Sequence, residues 1–269
     1  MALPAHPRTD LQQLATLRTS YEDWLVRHRA AIAAAPADRL VYAWAAVEND
    51  CVLLSGILYG DGTPLDEVRA MLADSARAHL ELVRLRGASH DATKPAPSDG
   101  YSTGSSRSTF LAMCRAFASG DFSLGRALAS FVWDPPKARY LGRGSMFGSE
   151  RAQRVAYALR DLLLDKREAA QAHLDPLKQI PEDLIGEVLM VEGLVRSEPA
   201  RVLKGLGLEL AWHHKEATTP ANTKLPTYLL CIPALGLAAL ALHEAVIEAD
   251  TLSRNNPDFP VELIVGGAR

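Results

Sequence analysis

Residues 182–216 read EDLIGEVLMVEGLVRSEPARVLKGLGLELAWHHKE, and this stretch decides the fold. Leu184, Ile185, Val188, Leu189, Val191, Leu194 and Val195 recur at three- and four-residue steps, the period of one apolar helix face. Ser197 interrupts the run. Pro199 then stands near the start of a second helix, where a missing N–H costs nothing. That second helix closes on Trp212-His213-His214-Lys215-Glu216, cations that oppose the partial negative charge of the last carbonyls. Two helices with so short a joint make an antiparallel hairpin.

A second hairpin lies upstream. The spacing predicts helices over 150–164 and 167–174, joined at Asp165-Lys166 and followed by Pro176, with Tyr157, Leu159, Leu162 and Leu163 as a core stripe. Hairpins in tandem resemble tetratricopeptide-like solenoids, although the Trp-Leu-Gly-Tyr consensus of a true repeat is missing. Downstream, a last helix is expected over about 226–251, and a Pro-containing tail leads to an apolar Val261–Val265 segment.

The N-terminal third reads as three further helices. Thr9 or Asp10 caps the first, whose Leu11, Leu14, Leu17, Tyr21, Trp24, Leu25 and His28 lie at helical spacing, and Pro36 stops it. The second, about 37–59, is nearly apolar around its circumference and is expected to be central. Thr63-Pro64 opens the third, Leu65 to Arg86, closing at Gly87. Residues 88–106 lose all period and read as a long loop or linker. Short helices over 109–118 and 124–132 follow, and then a second irregular piece, 137–148. The fold class is therefore all-α: a multi-helix bundle of antiparallel hairpins, tetratricopeptide-like in its C-terminal half. An N-terminal helical part (1–87), the loop (88–106) and a C-terminal part (107–269) are its divisions, compatible with one continuous domain.

At 269 residues the chain is long enough to bury a core without disulfide or metal support. Aromatic content of 6% favours helix over sheet, and a net charge of −3 speaks against a general nucleic-acid binder. Charge is mildly uneven: 88–148 hold seven Lys/Arg against four Asp/Glu, and 149–269 thirteen against seventeen. Cys51, Cys114 and Cys231 are odd in number, far apart and set among apolar residues, which marks them as buried packing groups in a reducing compartment. Met1 to Asp10 lacks the pattern of a signal peptide, and Tyr228–Leu242 is too short to span a bilayer, so the expected location is cytoplasmic.

Catalytic signatures are missing. His243-Glu244 has no second His three residues on, and there is no Gly-x-Ser-x-Gly elbow or Gly-x-Gly-x-x-Gly turn. His213 and His214 are neighbours about 100° apart on a helix, so a regular helix cannot aim both at one ion; a mixed site using one of them with His243 and Glu244 or Glu248 stays open. The residues read as a binding module, not an enzyme, with no cofactor. Arg139, Tyr140 and Arg143, in the second irregular piece, have the chemistry to hold an acidic partner.

The C-terminal part resembles the all-helical immunity proteins of bacterial polymorphic-toxin systems, specifically the immunity 49 group. The resemblance covers about 150–265. It is carried by the hairpin Ala156–Leu174, the helix end Trp212-His213-His214-Lys215, a polar gap, the apolar Leu235–Ala241, and the tail Asp258-Phe259-Pro260-Val261-Glu262-Leu263-Ile264. It implies a cytoplasmic antitoxin that binds one cognate toxin domain and occludes its active site, with no role for nucleic acid or membrane. His213, His214 and Lys215, with Arg139, Tyr140 and Arg143, are then the expected partner-binding residues. Two other classes stand beside this reading: a helical-repeat scaffold or regulator that binds peptides, and an enzyme built in a helical bundle.

Overall fold

The computed structural model describes residues 10–89, 106–131, 150–177 and 180–265. Its helices are α1 (Leu11–Ala34), α2 (Leu40–Gly60), α3 (Leu65–Ser89), α4 (Ser106–Ala118), α5 (Phe122–Ala129), α6 (Glu150–Leu163), α7 (Arg167–Leu174), α8 (Glu182–Arg196), α9 (Pro199–Ala217), α10 (Ile232–His243) and α11 (Val261–Val265), with no strand among the described residues. Short 3₁₀ turns lie at Pro226–Tyr228 and Ala249–Thr251. The chain is an all-α multi-helix bundle. Arg139, Tyr140, Arg143 and the stretch 137–148 lie outside the described residues, as does most of 88–106.

Local chemistry sets the helix ends. Asp10 caps α1, its carboxylate accepting from the backbone N–H of Gln12 and Gln13 at 3.0 and 3.1 Å. Asp121 does the same for α5 through Leu124 N–H at 3.0 Å. At the C-termini of α6, α8 and α10 the backbone closes on itself. Lys166 N–H reaches Asp161 O, Glu198 N–H reaches Gly193 O and Val246 N–H reaches Ala241 O, at 2.7–2.8 Å. Each turn needs one left-handed residue, and Asp165, Ser197 and Ala245 take it at φ 59°, 55° and 53°.

Three expectations give way here. The helix expected over 226–251 is instead a 3₁₀ turn, α10 and a second 3₁₀ turn. Pro233 lacks an N–H and is compatible only with the first turn of a helix, so α10 begins beside it; the Ala245 turn ends it. The second helix is central only in its C-terminal half, where Cys51 and Leu54–Gly60 are buried. The first turns of α2 leave Tyr42 46% exposed, whereas Arg115 meets the helix at Glu48 and Pro226 meets it at Gly56. By length and composition α2 and 226–243 are each apolar enough to cross a membrane, though the second is mostly buried and is broken at 229–231. The third helix also runs past Gly87 to Ser89.

The hairpins are antiparallel. Arg18 meets Asp61 and His28 meets Asp50 across α1–α2, while Gly186 abuts Glu209, Gly205 abuts Met190 and Gly193 abuts Val202 across α8–α9. The α8–α9 contact is backbone-close: a Cβ on Gly205 would sit 2.7 Å from both Gly186 O and Met190 N. A comparable contact crosses α4 and α10, where a Cβ on Gly236 would lie 2.4 Å from Cys114 Cα. One apolar core runs from Leu58, Val68 and Leu72 through Phe110, Phe117 and Leu159 to Val191, Leu237 and Ile264, and a smaller cluster of Leu25, Val47, Cys51 and Leu54 underlies α1.

Gly205→Ala is expected to destabilise the protein by about 1–3 kcal/mol, because the new methyl meets rigid backbone on α8. Ala245→Gly is expected to stabilise it by about 0.5–1 kcal/mol, since glycine relieves the left-handed strain at a small entropic cost. Chemical denaturation of both variants checks the two signs together.

Candidate functional site

Three groups of polar side chains stand out. The first joins α2, α3 and α4. His79 is fully buried; its Nδ1 lies 3.0 Å from both carboxylate oxygens of Glu48, and its Nε2 lies 3.1 Å from Thr109 Oγ1. Carboxylate, imidazole and hydroxyl thus stand in the order found around an activated oxygen nucleophile. Arg115 donates to the same carboxylate. Burial works to raise the Glu48 carboxyl, but the charges of His79 and Arg115 and their hydrogen bonds bring it down to about 2. The triad has no mouth: Thr109 is 2% exposed and His79 0%, so no substrate carbonyl can approach the hydroxyl. Its chemistry is spent on fastening three helices.

The second group lies where α4, α8, α9 and the start of α10 meet. Both terminal nitrogens of Arg107 donate to Glu187, the Nη2 bond being 2.7 Å. Glu209 is equally buried, and its oxygen receives the Cys231 thiol at 3.9 Å. Cys51, Cys114 and Cys231 are free and buried, and burial raises all three thiols, Cys51 to about 12. They are packing groups, as expected, although Cys231 stands at the N-cap of α10 and not within the helix.

The third group is the end of α9. The expected block of one cationic cluster divides there. His213 is buried with its Nε2 3.1 Å from Tyr228 O, whereas His214 and Lys215 face outward. His214 Nδ1 lies 3.3 Å from the buried Asp258 carboxylate, and Lys215 donates to Glu182 at 2.7 Å. His214 and Lys215 stand in the last turn of α9, as expected, and hydroxyls make direct caps there: Thr218 donates to His214 O and Lys215 O, and Thr219 to Glu216 O. Trp212 is only half-buried; the adjacent His213 takes the inward position. His243 is elsewhere, stacked on Phe122 with ring centroids 3.9 Å apart. Among the described residues no group of three or more His, Cys, Asp or Glu is placed to hold a metal ion.

Glu48, His79, Glu187 and Glu209 escaped the sequence reading. The available signal was an acid inside an apolar helical run, Glu187 between Gly186 and Val188 and Glu209 between Leu208 and Leu210. What each acid would face could not be read from spacing. Comparison of the chain with protein-family models, curated proteins and solved structures finds no match.

Glu48→Gln leaves Arg115 and His79 without their anion and is expected to cost about 3–5 kcal/mol at pH 7. Because the folded Glu48 carboxyl sits below its ordinary 4.5, its contribution is complete above that pH and is lost as pH falls towards about 2. Thermal melts at pH 7 and pH 3 should show the wild type losing more stability on acidification than the variant.

Proposed function

We propose that this chain is an immunity protein: a cytoplasmic all-helical antitoxin that binds one cognate toxin domain and occludes its active site. Inhibition of this kind needs a surface of matching shape and charge and no chemistry of its own. The resemblance of residues 150–265 to the immunity 49 group supports it, and so does the closed character of the Glu48–His79–Thr109 triad, which leaves that cluster a structural task.

The observation that carries the reading is the outer face of α9. Leu208, Ala211, Trp212 and Lys215 fall at i, i+3, i+4 and i+7, one stripe of the helix, and Leu208 is 36% exposed while Ala211 and Lys215 are exposed. A Cβ added at Gly207, beside that stripe, would meet nothing within 4 Å. An apolar stripe with a Trp and a terminal cation is what a helix presents to a partner protein. The stripe ends in the same Trp212-His213-His214-Lys215 block that carries the resemblance. On this reading the toxin domain docks along α9, with His214 and Lys215 at the rim.

Co-expression tests it. The gene encoding the suspected toxin is expressed alone, with this protein, or with its Gly207→Arg variant. Wild type is expected to restore survival and to co-purify with the toxin. The variant is expected to keep its melting temperature, since arginine is the better helix former and meets open space, and to lose rescue. Toxicity without rescue by the wild type would overturn the antitoxin reading, and rescue by an unimpaired variant would remove α9 as the docking face.

A further inference from the structure

The junction of α4, α8, α9 and α10 holds two acids against one base. Glu187 is 1% exposed and Glu209 2%. Among the described residues the guanidinium that faces both is Arg107, and its two hydrogen bonds go to Glu187 alone. Arg107 is further held over the Phe110 ring, 4.9 Å from its centroid, so it is not free to swing between the acids. Glu209 is left with a thiol, Cys231 Sγ at 3.9 Å, a weak partner that cannot compensate a charge.

The remaining groups around Glu209 do not change this balance. On α4 there is also Cys114, buried and held as the thiol; on α8 Asp183 adds a second negative charge at the helix start; at the head of α10 stands Cys231, whose N–H is bonded to Asp258 O. On α9 itself His213 follows one turn later, with its Nε2 turned to Tyr228 O. On the α8 side a Cβ at Gly186 would lie 2.6 Å from Glu209 Cβ, so the backbone closes that flank against any counter-ion.

We propose that Glu209 is a proton-binding site built into the bundle: as the neutral acid it lets the α8–α9 hairpin close on α4 and α10, and loss of its proton to solvent loosens that contact. A buried carboxylate without a cation is far costlier than a buried carboxylic acid, so the fold selects the acid. Burial, and next the negative charge of Glu187, push the Glu209 carboxyl up to about 8, while Arg107 and the Cys231 thiol pull the other way. The unfolded chain releases the same proton near the ordinary 4.5. Over that interval the folded chain therefore holds one proton more than the unfolded chain. The stability tied to Glu209 is complete below the lower value, declines as pH rises, and reaches its floor above the upper one. This device stands independently of the partner proposed for the outer face of α9.

Two measurements on the full chain test it. In protein carrying ¹³C at glutamate side chains, one carboxyl resonance is expected to titrate above pH 7, and Glu209→Gln should delete that resonance. In denaturant titrations between pH 6 and 8, the folding equilibrium constant of the wild type relative to Glu209→Gln is expected to fall by about tenfold per pH unit, the signature of a single proton. If every glutamate carboxyl titrates below pH 6, the proton site is overturned, and this result needs only the wild-type protein. If the resonance titrates high but the two proteins show parallel pH dependence of stability, the coupling to the hairpin is overturned.

Discussion

Direct contact of helix backbones is the constraint on which this bundle rests. Gly236 brings α10 onto Cys114 of α4, and Gly186, Gly193 and Gly205 bring α8 onto α9, at separations where any Cβ would collide with main chain or Cβ atoms. Helices that approach this closely exchange many dispersion contacts and exclude water, but their crossing geometry is no longer adjustable. The register of α9 on α8, and hence which side of α9 faces solvent, follows from those glycines. α4 then becomes the hub, flanked by α10 through Gly236 and tied by side chains to α2, α3 and α8.

Polar groups buried at the hub have opposite characters. Glu48 is surrounded by His79 and Arg115 and is a stable anion; Glu209 shares a region with Glu187 and one guanidinium already engaged. The same residue type is therefore pushed to opposite ends of the accessible range, about 2 and about 8: burial raises both acids, but His79 and Arg115 more than reverse it at Glu48, whereas Glu187 adds to it at Glu209. The two sites pull stability in opposite directions with pH. Glu48 loses its contribution as pH falls below about 4.5 and Glu209 as pH rises above it, so the two together contribute most near the ordinary carboxyl value. The Glu48–His79–Thr109 arrangement has the order of groups in a triad without its access. A reacting atom must reach the hydroxyl, and here packed helices occupy the space around it.

The outward half of α9 is the counterpart of this closed interior. Its inward face is committed to α8 through glycine and to the Glu209 junction, so the docking face proposed for a partner is the opposite stripe. Leu208, Trp212 and Lys215 lie there, and Gly207 leaves space beside them. The short-jointed α8–α9 hairpin holds that stripe on a rigid element, which the docking proposed above requires.

Helix class, most helix boundaries and the hairpin pairing of α8 with α9 were determined by the sequence itself. Apolar period, Ser197 with Pro199, and the Asp10 cap are local signals, and local hydrogen bonding and sterics suffice to obey them. The burial of all three cysteines was equally legible from their apolar neighbours. The break in the 226–251 segment was half legible, since Pro233 marks a helix start but nothing in the spacing announced a left-handed Ala245. What only the tertiary structure decided was the direction of the polar groups. His213 turns inward and His214 outward, Glu48 finds His79 and Arg115, and Glu209 finds a guanidinium already committed to Glu187. Those outcomes depend on residues 15 to 80 positions away being brought within hydrogen-bond reach, and a polar side chain's charge state is set by its neighbours in space and not by its neighbours along the chain.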